Sequence, residues 1–173
     1  MTSDPATATI TPDHLRTAAR LAAALHLGEG GSKQDAEDAV SYALLELWKR
    51  ERSAPGEIHN PRAWMATAAR RHLLRTFERA KVEAAHERLP DRPARVGRPE
   101  AEYEHSEAAR RAMALVARLP RGERSAVALR SIDGMDTREI AEVLGISEDA
   151  VRARLSRGYR TLRRLLTEGD RTR

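Results

Sequence analysis

The sequence predicts an all-α protein built from two small helical domains, and three observations carry that expectation. Apolar residues recur at helical spacing through most of the 173 residues, and no segment alternates in the way a half-buried strand requires. Helix-start signals precede those runs at Thr11-Pro12, Ser32, Asn60-Pro61 and Ser147. Between them, Pro90, Pro93, Gly97 and Pro99 fall in a stretch with almost no apolar residue, which reads as an interdomain linker. The expected organisation is a disordered tail over 1–10, a first domain over 11–88, a flexible polar linker over 89–99, a second domain over 100–167 and a short tail over 168–173. No internal repeat appears.

The first helix starts at Thr11-Pro12 and runs to about Leu27, with Leu15, Ala18, Ala19, Ala22 and Leu25 as its apolar stripe. Gly28-Glu-Gly-Gly31 ends it. Ser32 or a neighbour caps a second helix through Trp48, with Asp35, Glu37 and Asp38 complementing its positive end. Pro55 and Gly56 break the chain between Glu51 and His59, and Asn60-Pro61 restarts it as a long third helix to roughly Ala85. Four more helices are expected, near Glu100–Arg118, Gly122–Ile132, Thr137–Leu144 and Ser147–Leu166.

Composition narrows the function classes. The formal net charge is +5, a third of the residues are charged and only 3% are aromatic, so a polyanionic partner is favoured. With no cysteine, the chain holds no disulfide, thiol redox centre or thiolate zinc site. The N-terminus lacks the pattern of a signal peptide, and no apolar run is long enough to span a bilayer, so a cytoplasmic protein without membrane insertion is expected. His14, His26, His59, His72, His86 and His105 show no metal-ligand spacing, and no glycine loop ends in the Lys-Ser/Thr of a phosphate cradle. Neither enzymatic activity nor a metal or cofactor is expected.

The segment Asp136-Thr-Arg-Glu-Ile-Ala-Glu-Val-Leu-Gly-Ile-Ser147 reads as a short amphipathic helix, a glycine stop and a turn into a second helix. Together they form a helix-turn-helix whose second member has the dimensions to enter a DNA major groove. At about 100° per residue, Val151, Leu155, Gly158, Leu162 and Leu166 share one stripe of that helix. Asp149, Ala153, Ser156 and Arg160 lie opposite, flanked by Arg152, Arg157, Arg163 and Arg164. Arg152 and Arg157 could reach guanine edges or phosphates, and Ala153 and Ser156 permit close approach. The candidate duplex contacts are therefore Glu148, Asp149, Ala150, Arg152, Ala153, Ser156, Arg157 and Arg160. The competing reading is an ordinary solvated basic face. Gly158 inside this helix points to close packing or a bend.

Two faces of the N-terminal half also stand out. On the second helix Ala36, Ala39, Val40, Ala43, Leu44, Leu47 and Trp48 form a buried stripe, while Tyr42 and Leu45 share the opposite side with Asp35, Asp38 and Glu46. Apolar side chains among carboxylates there suit a protein-docking surface, against the alternative of scattered surface apolars. On the third helix Ala66, Ala69, Leu73, Phe77 and Ala80 read as core. The other side gathers Trp64, Met65 and His72 with Arg71, Arg75 and Arg79, a set suited to unpaired nucleic acid through base stacking and phosphate contacts. The alternative is that Trp64 anchors the core.

With those residues in hand, the chain resembles the extracytoplasmic-function (ECF) sigma factors of bacterial RNA polymerase, in the sigma-70 family. Asp35-Ala-Glu-Asp-Ala-Val through Leu44-Leu-Glu-Leu-Trp48 is similar to the region 2 segment that docks on the polymerase clamp helices. Asn60-Pro-Arg-Ala-Trp-Met-Ala-Thr-Ala-Ala-Arg70 is similar to the promoter-melting and minus-ten segment. Leu119-Pro-Arg-Gly-Glu-Arg with the helix-turn-helix is similar to region 4, which reads the minus-thirty-five element. The resemblance covers about Leu15 to Leu166. It implies a sigma factor that binds core polymerase (the clamp helices of the beta-prime subunit and the beta flap), recognises both promoter elements and assists melting. Asp35, Asp38, Tyr42, Leu45 and Glu46 would dock polymerase, and Trp64, Met65, Arg71, Arg75 and Arg79 would serve the minus-ten element. The loop from Arg50 to Pro61 would help capture a flipped base. An anti-sigma factor wedged between the domains is a partner that the resemblance admits. The chain departs from the family's usual pattern in Ser41-Tyr42, where Gln-Glu is common, and in Arg71 and Arg75, where Asn and Asp are common. Ala150 and Ala153 stand where Thr and Ser are frequent. The competing function is a helix-turn-helix regulator that binds operators without polymerase and dimerises through its N-terminal helices.

Overall fold

A computed structural model describes residues 12–86 and 107–170, and all the regular structure among them is helical. The elements are α1 (Pro12–Glu29), α2 (Lys33–Ser53), α3 (Pro61–His86), α4 (Glu107–Ala117), α5 (Arg121–Ser131), α6 (Thr137–Leu144) and α7 (Glu148–Asp170). The tail over 1–10, the linker over 89–99 and the boundaries at 11, 88 and 100 lie outside the described residues, whereas α7 runs past the expected boundary at 167 to Asp170.

Local sequence accounts for most of the helix ends. Ser32 and Asp35 form a capping box: the serine hydroxyl accepts from the Asp35 backbone N–H at 3.0 Å, and the Asp35 carboxylate accepts from the Ser32 N–H at 2.8 Å. Asn60 opens α3 by accepting from the Ala63 N–H at 3.0 Å, with Pro61 in the first turn where its missing N–H costs nothing. Asp136 and Glu139 form a second capping box on α6, and Gly145 ends that helix at φ 65, a left-handed conformation that glycine adopts without steric cost. Ser147 caps α7 at the Ala150 N–H, 3.2 Å away. α2 continues a turn past the expected Trp48, and Arg52 in the added turn lies over the Trp48 ring at 4.7 Å.

Three stripes sit differently from expectation. On α1 the buried hydrophobic residues are Leu21, Ala24 and Leu25, while Leu15 and Ala19 face solvent. The helix therefore buries a face rotated from the one its first two turns suggest. On α3, Ala63 and Met65 join Ala66, Ala69 and Leu73 inside, and Ala80 is exposed. On α7 the inward leucine is Leu165, and Leu166 is exposed. Gly158 has a packing reason: a Cβ there would stand 2.8 Å from Val127 Cγ2, so its absence lets α5 and α7 approach.

The chain forms two helical units, α1–α3 and α4–α7, and these pack against each other. One continuous core runs from Leu21, Leu25, Ala39 and Met65 of the first unit to Val127, Ala128 and Ile140 of the second. α5 lies along the C-terminal half of α1, and α6 rests on the start of α3. The two helical units expected from the sequence are thus present, and they also share a packed interface. The reason lies in small residues: Gly28 of α1 and Ser125 of α5 are both buried, and the serine hydroxyl donates to the Gly28 carbonyl at 3.1 Å.

Candidate nucleic-acid and polymerase interfaces

α7 presents its arginine face to solvent. Val151 and Leu155 are buried, and Arg152, Ala153, Ser156, Arg157 and Arg160 point outward beside the exposed Glu148 and Asp149; Ala150 is half-buried. Arg152 is held by Asp149 at 2.7 Å and Glu148 at 3.2 Å, and Arg157 by Glu123 of α5 at 3.3 Å. Such exposed pairs contribute little stability, so a phosphate or guanine edge can take over these guanidiniums at small cost. Arg154 is half-buried and lies beside Gly122, out of the reading face.

α3 separates its predicted site residues. Arg71, Arg75 and Arg79 are exposed, and Trp64 is half-buried with its ring packed on the core. Met65 is fully buried, so it is a core residue and drops out of the nucleic-acid set: one position on from Trp64, the helix has turned about 100°. Trp64 and Arg71 line one cleft of about 730 Å³ with Arg50 from the last turn of α2 and His59 and Asn60 from the loop before α3. Arg138 and Glu142 of α6 form part of the opposite wall. Arg75 and Arg79 do not line this cleft.

The α2 set also divides. Tyr42 and Leu45 are 40% and 48% exposed, and the Tyr42 ring stacks on His72 of α3 with centroids 4.2 Å apart. Histidine 72 therefore belongs to the α2–α3 seam rather than to the Trp64 cleft. Asp38 is exposed and accepts from Gln34 at 2.8 Å; Glu46 pairs with Lys49 at 2.8 Å. Asp35 is committed to its capping box and anchors the helix start.

The pattern reading missed a set of charged contacts between the two units. Glu29, at the end of α1, receives Arg70 Nε at 2.6 Å and Arg121 of α5 at 2.9 Å. Burial pushes its carboxyl up, but hydrogen bonds and charge from both arginines outweigh that and hold it below its ordinary value. Asp133, in the turn before α6, is buried and meets Arg62 Nε at 3.2 Å and Arg20 at 3.8 Å, while its backbone carbonyl also accepts from Arg62. There burial dominates, and the carboxyl sits above its ordinary value. Asn60 donates to Glu139 at 3.2 Å. Nothing local to Glu29, set in a glycine-rich helix stop, signals a partner 92 residues away.

Among the described residues no cluster of His, Asp or Glu could hold a metal ion, and no helix is long and apolar enough to cross a membrane. A capped helix-turn-helix with an open arginine face, carried beside a three-helix unit with its own basic cleft, is the arrangement of a DNA-binding protein. The family patterns described as Sigma-70 region 2 and Sigma-70 region 4 match residues 13–82 and 109–162. The chain belongs to the sigma-70 family and acts as a sigma factor directing transcription. Two solved structures share its fold. The sigma factor RpoE of Bartonella quintana, in complex with the anti-sigma factor NepR, is 22% identical with a TM-score of 0.69, covering 90% of this chain and 94% of its own. CnrH, in complex with the cytosolic domain of CnrY, is 23% identical with a TM-score of 0.56, covering 89% and 84%. No curated protein matches by sequence.

Proposed function

We propose that α1–α3 seat the factor on core polymerase and hold the minus-ten element, and that α4–α7 hold the minus-thirty-five duplex. Tyr42 and Leu45, exposed beside Asp38, are the docking anchors on α2; the basic clamp partner inferred for them suits that mixed apolar and acidic face. Trp64 and Arg71 of the cleft serve the unpaired minus-ten strand, with Asn60 and His59 at its mouth. Arg152, Ala153, Ser156, Arg157 and Arg160 read or grip the upstream duplex. The factor performs no covalent chemistry; melting is driven by its affinity for the open strand. It works in the cytoplasm, and a protein antagonist of the kind named with its two structural relatives is the partner expected to restrain it.

The observation that carries this reading is the juxtaposition of loop 54–60 with Trp64 and Arg71 in one basic cleft, on a unit whose α2 face is free to dock. Run-off transcription with core polymerase on genomic fragments tests it: start sites appear only when both are present. Failure of the protein to co-elute with core polymerase would overturn it. An operator-binding regulator would instead retard duplex fragments as a dimer and start no transcripts.

A further inference from the structure

On the surface of the first unit one aromatic pair bridges two helices and leaves one of its rings open to solvent. Tyr42 of α2 and His72 of α3 stack with centroids 4.2 Å apart and planes 24° from parallel. Tyr42 keeps 40% of its surface exposed, whereas His72 is half-buried behind it. Among the described residues, no second ring and no arginine or lysine of this chain lies over the Tyr42 ring. The imidazole thus backs one face of the phenol ring, and solvent reaches the ring from the other side.

The neighbours of that ring differ in sign from those of the Trp64 cleft. Asp38 and Glu46 stand four residues to either side of Tyr42 and so flank it on the helix surface. Asp38 is exposed and bonded only to Gln34, and Glu46 is tied to Lys49 in a surface pair that contributes little, so both can turn to another cation. Arg71 precedes His72 by one residue and therefore points about 100° away, into the cleft. Phosphates are disfavoured beside two carboxylates. A guanidinium suits the set: it lies flat on an aromatic face whose electron density attracts it, and its N–H groups reach carboxylates beside the ring.

Building on the docking role of α2 put forward above, we propose that the Tyr42–His72 stack is a platform for an arginine of core polymerase. Asp38 and Glu46 are the carboxylates that hold its N–H groups, and His72 is a positioning residue. The imidazole acts through Tyr42: it keeps the phenol ring in one orientation, which reduces the side-chain freedom lost on docking. The docking surface therefore crosses from α2 onto α3, the helix that also carries the minus-ten residues.

Affinity of the full chain for core polymerase tests the platform. Tyr42→Leu keeps apolar bulk but removes the ring, and should raise Kd about tenfold. Tyr42→Phe keeps the ring and should stay within about twofold of native. His72→Ala removes the backing and should raise Kd about threefold, and His72→Phe, which can stack in its place, should restore most of the loss. When Asp38→Asn is combined with Tyr42→Leu, the loss should fall short of the product of the single losses, because both act on one cation. Affinity for an unpaired minus-ten strand should not change in any of these variants. A Tyr42→Leu or His72→Ala protein that binds polymerase as tightly as native would overturn the platform, as would fully independent losses at Asp38 and Tyr42. A loss that appears in strand binding instead would make the stack a nucleic-acid surface and overturn it too. Native protein with no affinity for core polymerase would refute the docking reading itself, whereas tight binding by native and variants alike refutes only the platform.

Discussion

The two arginine-bearing helices, α3 and α7, meet their surroundings on different terms. On α7 the guanidiniums of Arg152 and Arg157 are tied only to neighbouring carboxylates of their own unit, and the face is open to solvent. On α3 the first turn is engaged by the other unit: Arg62 meets Asp133 and Glu139, and the Trp64 cleft has an α6 wall. Duplex binding needs only a convex helix presented outward. Capture of an unpaired strand needs a concave, partly apolar surface, and such a surface is also one that a second helical unit can cover.

Several substitutions can break or sharpen that contrast. Met65→Ala should have the largest effect, lowering stability by about 2–5 kcal/mol because it empties a fully buried site. Trp64→Ala should cost less in denaturant melts yet weaken minus-ten strand binding more. Equal effects on both would return Trp64 to a purely structural role. Gly158→Val should follow at about 1–3 kcal/mol, since its side chain would collide with Val127 between α5 and α7. Calorimetry should show that loss in region 4. Asp136→Ala removes the α6 capping box and should cost about 1 kcal/mol.

Smaller effects separate the faces by condition. Arg157→Ala should weaken duplex binding by the free chain and reduce the salt slope by about one. Arg71→Ala should be silent in that assay and appear only with an unpaired minus-ten strand. Glu29 gives a pH signature. Its carboxyl is depressed, so its contribution to the packing of the two units is present above the ordinary value of 4.5 and is lost as pH falls through the depressed one. Asp133 has the opposite sign: its carboxyl is raised, so its contribution is present below 3.8 and is lost as pH rises through the raised value. The stability difference between native protein and Glu29→Gln should shrink in thermal melts below pH 4.5. A difference that is the same at pH 7 and pH 3 would remove Glu29 from the contacts between the units.

Much of this was legible in the residues. Helix starts at Ser32, Asn60 and Ser147, the glycine stop at Gly145 and the inward Val151 and Leu155 all follow from short-range spacing. Residues on the margin of an apolar stripe were harder. Met65 against Trp64, and Leu165 against Leu166, differ by one helical step, and which faces inward depends on the helix packed opposite. Asp35 reads from sequence both as a helix-start acid and as a docking carboxylate, and its reciprocal bond with Ser32 commits it to the first. The packing of one unit on the other was not legible at all, because Glu29–Arg121 and Asp133–Arg62 join residues far apart in sequence. Those pairs have no periodicity to announce them.

Transcription reconstituted with core polymerase tests the central claim most directly. Run-off transcripts from genomic fragments should start at defined sites only when this protein and core polymerase are both present, and Trp64→Ala should lower their yield more than it lowers duplex binding by α7. A protein that starts no transcript with core polymerase, or a Trp64→Ala variant that loses both equally, would contradict it.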